Sequence, residues 1–274
     1  MSTINKRVVI LKRSLASAIA NWNGALMFYT CLPIPHHWPL AFDSIARWVP
    51  WVGVIIGGLL AITDRALLAL QAPVPVCSAL IVALWIALTG GLHLDGVMDT
   101  ADGLAVPDKS RRLAVMTDSR MGAFGGMAVA MLLLLKVVAL SNLDGNLDGM
   151  TFTNRAFGLV AVCVWGRWGQ QWAIARYPYL KKTGKGAFHK SALPSIQSTF
   201  PSFFAIGLLS GALVALDIVS FAKVLQTTLA GTAIALLTSA YFYRQLGGHT
   251  GDTYGAVVEW TETLLLCVLT VRAM

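Results

Sequence analysis

Residues 123–143 read AFGGMAVAMLLLLKVVALSNL. The stretch carries a single charge, Lys136, among apolar and small residues. At about 1.5 Å of rise per residue, a helix of this length matches the roughly 30 Å hydrocarbon core of a bilayer. A helix that is apolar on every side needs lipid, or a large protein, around it. Comparable runs recur at 48–70, 74–94, 156–175, 202–221, 228–243 and 255–271. The expectation is an all-α, polytopic integral membrane helical bundle with about seven spans. It forms one domain over 1–274, with an N-terminal segment at 1–47 and the bundle at 48–274.

Composition agrees. Apolar residues make up 56% of the 274 and charged residues only 12%, against about 25% in soluble domains. The net charge of +8 reads as membrane topology and attraction to anionic headgroups or substrates, so no nucleic-acid partner is expected. The cysteines Cys31, Cys77, Cys163 and Cys267 are isolated in apolar surroundings without a CxxC pair, which excludes a zinc-finger or disulfide framework. Residues 3–20 predict an amphipathic helix lying on the membrane, with Lys6, Arg7, Lys12 and Arg13 toward headgroups. No cleaved signal peptide is expected there. Trp22–Pro35 is too short to span and reads as an interfacial or re-entrant piece.

The loops are strongly asymmetric. Segments 1–47, 95–122, 176–201 and 244–254 fall on one face and collect most of the lysines and arginines. The other face receives Arg155, Lys223 and Arg272. The excess of positive charge assigns the first face to the cytoplasm. Every polar motif falls on that same face.

The densest motif is Gly90-Gly91-Leu92-His93-Leu94-Asp95-Gly96-Val97-Met98-Asp99-Thr100-Ala101-Asp102-Gly103. On a helix, Asp95, Asp99 and Asp102 stand at i, i+4 and i+7 and share one face. Stacked carboxylates repel unless a hard cation such as Mg²⁺ lies between them, with positions left for water and phosphate. His93 reads equally as a structural histidine or as a ligand or general base. Asp118-Ser119-Arg120-Met121-Gly122 precedes a span; Arg120 can grip a phosphate or pair with Asp118. The loop 176–190, with Lys181, Lys182 and Lys185 around Gly184 and Gly186, reads as a cationic flap or as an ordinary inside loop. Arg167, within a span, needs a functional or structural partner. Gly247-Gly248-His249-Thr250-Gly251-Asp252 precedes the last run, where Asp252 is a helix cap or part of the site. Acids for metal, bases for phosphate and glycines for close approach suggest metal-assisted phosphoryl-type transfer to a large amphipathic substrate.

These motifs closely resemble the cobalamin synthase family, the adenosylcobinamide-GDP ribazoletransferases, over nearly the whole chain. The resemblance begins at Phe28-Tyr29-Thr30-Cys31-Leu32-Pro33-Ile34-Pro35, with Cys31 where the family often carries arginine. It continues through Pro50-Trp51-Val52-Gly53 with Gly57-Gly58, then the acidic motif, then Asp118–Gly125 and Thr250-Gly251-Asp252 with Gly255-Ala256. It implies transfer of the phosphocobinamide part of adenosylcobinamide-GDP to α-ribazole or its 5′-phosphate, with release of GMP. It implies Mg²⁺ as cofactor and the bacterial inner membrane as location. Asp95, Asp99 and Asp102 would then hold the metal. Arg120, Arg167, Lys181, Lys182 and Lys185 would bind phosphate, with His93 and Asp252 as further catalytic candidates. Membrane lipids, a second copy and other cobalamin-assembly enzymes are the partners left open.

Three other readings compete. A CDP-alcohol phosphotransferase needs Asp-Gly-x-x-Ala-Arg, but Thr100 follows Asp99 and a matching second half is absent. A membrane prenyltransferase is another enzyme of the same kind. A proton-coupled or metal transporter would use Lys136, Arg167, Glu259 and Glu262 as pathway charges.

Overall fold

The computed structural model describes residues 3–118, 120, 122–143, 149–181 and 187–271. Among them the chain forms α-helices α1 (Thr3–Tyr29), α2 (Val49–Ala69), α3 (Val74–Thr89), α4 (Leu92–Ala105), α5 (Lys109–Val115) and α6 (Ala123–Asn142). After these come α7 (Gly149–Arg176), α8 (Ala187–Ala192), α9 (Phe200–Ala215), α10 (Phe221–Leu246) and α11 (Gly251–Leu269). The all-helical membrane architecture expected from the apolar runs is the one observed.

Among the described residues, four segments are long and apolar enough to cross a bilayer: Val49–Ala69, Ala123–Asn142, Ile196–Ala215 and Phe221–Leu246. The expected run 74–94 is not one continuous helix. It ends at Thr89, because Gly90 (φ 61°) and Gly91 (φ 69°) take the left-handed conformation open to a residue without Cβ. Across this break α3 and α4 meet at 92°; taken together they would make a fifth crossing. The expected run 156–175 falls within α7, while 255–271 extends two residues past the end of α11 at Leu269. These two helices carry buried polar side chains, including Arg155, Arg167 and Gln171 on α7 and Glu259 and Glu262 on α11. They form the protein-walled centre of the bundle, with α7 packed chiefly on α2 and α11.

Close packing there rests on small residues. A Cβ at Gly53 would lie 2.6 Å from the Cys163 carbonyl oxygen, and one at Gly57 2.5 Å from Val160 Cα. The spacing of four residues places both on the α2 face that meets α7, the small-xxx-small arrangement that lets membrane helices approach.

Charges in the bundle interior pair with one another. Lys136 Nζ donates to Glu259 Oε2 (2.7 Å) and Glu262 Oε2 (2.9 Å), and Arg167 Nη1 donates to Glu262 Oε1 at 2.7 Å. Lys136 also sits 4.1 Å from the centre of the Trp85 ring. Elsewhere Arg155 grips Asp64 through Nε (2.6 Å) and Nη2 (2.8 Å). Two cations against two anions make the first cluster neutral, which is how charge survives at this depth. The four groups of the transporter reading are thus bonded to one another.

At the N-terminus, the sequence reading separates an amphipathic helix at 3–20 from a re-entrant piece at 22–35. The structure joins them: α1 runs on to Tyr29. Gly24 allows the return strand of chain to touch it, since a Cβ there would lie 1.9 Å from the Ala41 carbonyl oxygen. Asn21 Oδ1 then accepts from Ser44 N at 2.8 Å, and Asn23 Nδ2 donates to Pro39 O at 3.0 Å.

Candidate active site

Three elements bring the acids together. Helix α4 runs antiparallel to the first turn of α11, with reciprocal glycines at the contact. A Cβ on Gly96 would lie 2.4 Å from the Asp252 carbonyl oxygen, and one on Gly255 3.0 Å from His93 Cα. Gly96 therefore meets the second residue of α11, and Asp99, three residues further on, lies beyond that helix's N-terminal end. Asp95 is exposed; Asp99, Asp102 and Asp252 are partly buried.

The carboxylates also act on one another. The Asp99 carboxyl is pushed up to about 6, first by partial burial, then by Asp252 and Asp95, against the lowering effect of Lys181. Lys181 comes from the segment after α7, and its Nζ donates to Asp252 Oδ2 at 3.1 Å. Of the expected site residues, Asp95, Asp99, Asp102, Asp252 and Lys181 thus form one neighbourhood.

Asp102 has a second task. Its Oδ2 accepts from Gly122 N at 2.7 Å and its Oδ1 from Gly125 N at 2.8 Å. It caps the N-terminus of α6 across a gap of twenty residues, satisfying amides that a helix leaves open. Arg120 is exposed and donates to Asp118 through Nε (3.1 Å) and Nη2 (2.7 Å). That bidentate pair lowers the Asp118 carboxyl to about 2.

Two expected residues lie elsewhere. Arg167 is fully buried in the ion-pair network with Glu262 and also donates to Cys163 O at 3.0 Å. It sits in the bundle interior, where the Glu262 carboxylate compensates its charge through Nη1. His93 points to the opposite side of α4 from the acids, buried with its ring 6.3 Å from that of Tyr29. Lys182 and Lys185 lie outside the described residues.

One positioning device escapes a reading by charge alone. His249 N donates to Pro178 O at 2.9 Å, and Leu180 N donates to His249 O at 2.8 Å. This short bridge pins the segment carrying Lys181 to the turn that opens α11. The His249 ring stacks on Tyr254 (5.4 Å, 12°) and leans on Tyr177 (5.3 Å), and Tyr179 also stacks on Tyr254 at 6.0 Å. Gly248 makes the approach possible, since a Cβ there would meet Pro178 O at 2.7 Å. Thr250 then starts α11 with a capping box to Thr253. The signal was the Gly-Gly-His-Thr-Gly-Asp block itself, but a ring stack between distant segments has no local spacing.

The cobalamin-5-phosphate synthase family model matches residues 21–270. The chain belongs to that family. Relatives named adenosylcobinamide-GDP ribazoletransferase include one from Thermosynechococcus vestitus, 53% identical over 91% of this chain and 96% of the relative. Another, from Trichormus variabilis, is 51% identical over 92% and 97%. A third, from Synechocystis sp., is 45% identical over 89% and 94%. No solved structure gives a significant match.

The donors suit Mg²⁺ in kind. They are hard carboxylate oxygens, with Asp99 raised first by partial burial and then by Asp252 and Asp95, and Lys181 acting against them. Among the described residues, no group of three acidic, histidine or cysteine side chains forms a ready cage. Mg²⁺ seldom needs one; one or two carboxylates with waters and substrate phosphates are its usual shell.

Proposed function

We propose that the protein transfers the phosphocobinamide part of adenosylcobinamide-GDP to α-ribazole or its 5′-phosphate, releasing GMP, in a late step of cobalamin biosynthesis. The observation that carries this reading is the meeting of Asp95, Asp99, Asp252 and Lys181 at one end of the bundle, in a chain of this family. A ribose hydroxyl of the acceptor attacks the phosphorus bonded to the cobinamide arm. The new P–O bond forms as the bond to the bridging oxygen breaks, the hydroxyl proton is lost, and GMP departs.

Mg²⁺, when bound, neutralises the diphosphate and stabilises charge gathering on the leaving phosphate. Asp99 with Asp95 or Asp252 would hold it, waters and substrate phosphates completing the shell. Asp102 sets the α6 N-terminus through Gly122 and Gly125. Lys181 holds Asp252 in the free protein and can turn to a phosphate oxygen when substrate arrives. Amides of the first turn of α11 add partial positive charge on the same side. Arg120, exposed and close to Gly122 in sequence, supplies a second cation for the nucleotide phosphate. A loose phosphoryl transition state asks for little base assistance, so buried His93 is not needed for proton removal.

The same reading puts the protein in the bacterial inner membrane, multi-pass, with the acids facing the cytoplasm. The lysines and arginines concentrated in the loops on the acidic side support that orientation. The test is product analysis. Purified protein with adenosylcobinamide-GDP and α-ribazole is expected to form one complete corrinoid per GMP released. Release of GMP by hydrolysis alone, or no release from folded protein, would refute the assignment.

A further inference from the structure

Helix α4 has two faces. Its acids share one side. The opposite side, including Val97 and Leu104, lines an apolar cavity of about 510 Å³. Across it stand Ala128 of α6, Tyr241 of α10, and Trp260 and Leu264 of α11. Its size falls within the roughly 300–1,000 Å³ of sites that enclose small organic ligands.

The cavity opens between two candidate spans, α6 and α10. Exposed Met127, Met131 and Leu134 on α6 and Leu237 on α10 flank it, so the surrounding surface faces lipid. On α10, Leu237, Tyr241 and Arg244 follow at i, i+4 and i+7 and form one exposed stripe. Read toward the active-site side, that stripe passes from aliphatic to aromatic to cationic, the order of acyl chain, interface and headgroup. The α5 segment adds exposed Lys109 and Arg111 near the same helix end. It is tied there by Arg112 Nη1, which donates to Gln245 Oε1 at 3.0 Å and to Gln245 O at 3.1 Å.

We propose that this cavity binds one acyl chain of an anionic phospholipid from the leaflet on the active-site side, with its phosphate held by Arg244 and the α5 cations. The apolar walls suit a hydrocarbon chain, the opening lies where lipid is the solvent, and the charge above it is positive. The chain fills space behind the helix that carries Asp95 and Asp99. Lipid contact and catalysis therefore share one wall, and the site stands whether or not the transferase reading holds.

The experiment is lipid retention by the full-length protein, read by native mass spectrometry after purification in detergent and exchange into phosphatidylglycerol or phosphatidylcholine. Wild type is expected to keep one phosphatidylglycerol, and Ala128→Trp, which fills the cavity, to lose it. Arg244→Gln is expected to lower the preference for phosphatidylglycerol about fivefold, the worth of one cation near a headgroup. A phosphatidylglycerol with a photoreactive acyl chain, used on wild type, covers the case of a misfolded variant: labelling of α4 or α10 is expected. Labelling confined to other helices, no retained lipid in wild type, or equal retention in Ala128→Trp would overturn the proposal. So would an efficient Leu237→Cys disulfide between two copies in vesicles, which would mark the groove as a protein interface.

Discussion

At the residue scale, the four aspartates divide their work. Asp102 gives both oxygens to the amides of Gly122 and Gly125, while Asp95, Asp99 and Asp252 crowd one another. Asp95→Asn and Asp99→Asn are expected to lower turnover a hundredfold or so each while leaving the fold intact, since lost charge on a metal site strikes the transition state. Asp102→Ala is expected to cost about 1 kcal/mol of stability, the usual worth of a helix cap, visible as a lower melting temperature. Protonation gives a further handle. A carboxyl raised to about 6 is neutral below that pH, and a neutral carboxyl is a poor Mg²⁺ ligand. The Mg²⁺ concentration for half-maximal activity should therefore climb as pH falls through about 6, and metal binding should release protons. A flat Mg²⁺ requirement from pH 5 to 7 would remove Asp99 from the metal shell. The shared helical face of Asp95, Asp99 and Asp102 was legible from spacing. The capping role of Asp102 was not, because its partners lie about twenty residues away on another helix.

At the element scale, turns decide what meets what. The Gly90–Gly91 break redirects the chain by 92° and sends α4 up past the start of α11. An unbroken apolar run from 74 to 94 hides that break, since both glycines fit a hydropathy pattern while their left-handed φ angles do not fit a helix. The bridge from His249 to Pro178 and Leu180 is a second such device. Gly248→Ala would press a Cβ against Pro178 O and displace the Lys181 segment. The expected outcome is a several-fold rise in KM for the GDP-activated substrate with a smaller change in kcat. An unchanged KM alongside a wild-type melting temperature would argue that the bridge does not position Lys181. Helices α2, α6 and α10 were legible because lipid-facing helices keep an uninterrupted apolar signature. The junction of residues 3–20 with 22–29 into one α1 was obscured by its change from a charged to an apolar half.

At the scale of the whole molecule, the acidic face is separate from two buried ionic clusters. One is the Arg155–Asp64 pair; the other is the neutral network of Lys136, Glu259, Glu262 and Arg167, closed off from solvent. Removing one partner strands the rest. Glu262→Gln leaves Arg167 and Lys136 with less anionic charge than they need and is expected to destabilise the fold by about 3–5 kcal/mol. Loss of melting temperature and of membrane-inserted yield would register it, whereas a fold of wild-type stability would show that the network is not structural. The sequence alone exposed these charges as intramembrane and interior, but their pairing depends on which faces of α6, α7 and α11 turn inward together.

The most direct test of the acidic site is a Mg²⁺ titration of corrinoid formation by purified protein, run in parallel with Asp99→Asn. The account predicts saturable Mg²⁺ activation in wild type, with no restoration of the variant at any Mg²⁺ concentration. Metal-independent turnover, or an Asp99→Asn enzyme that follows the wild-type curve, would contradict it.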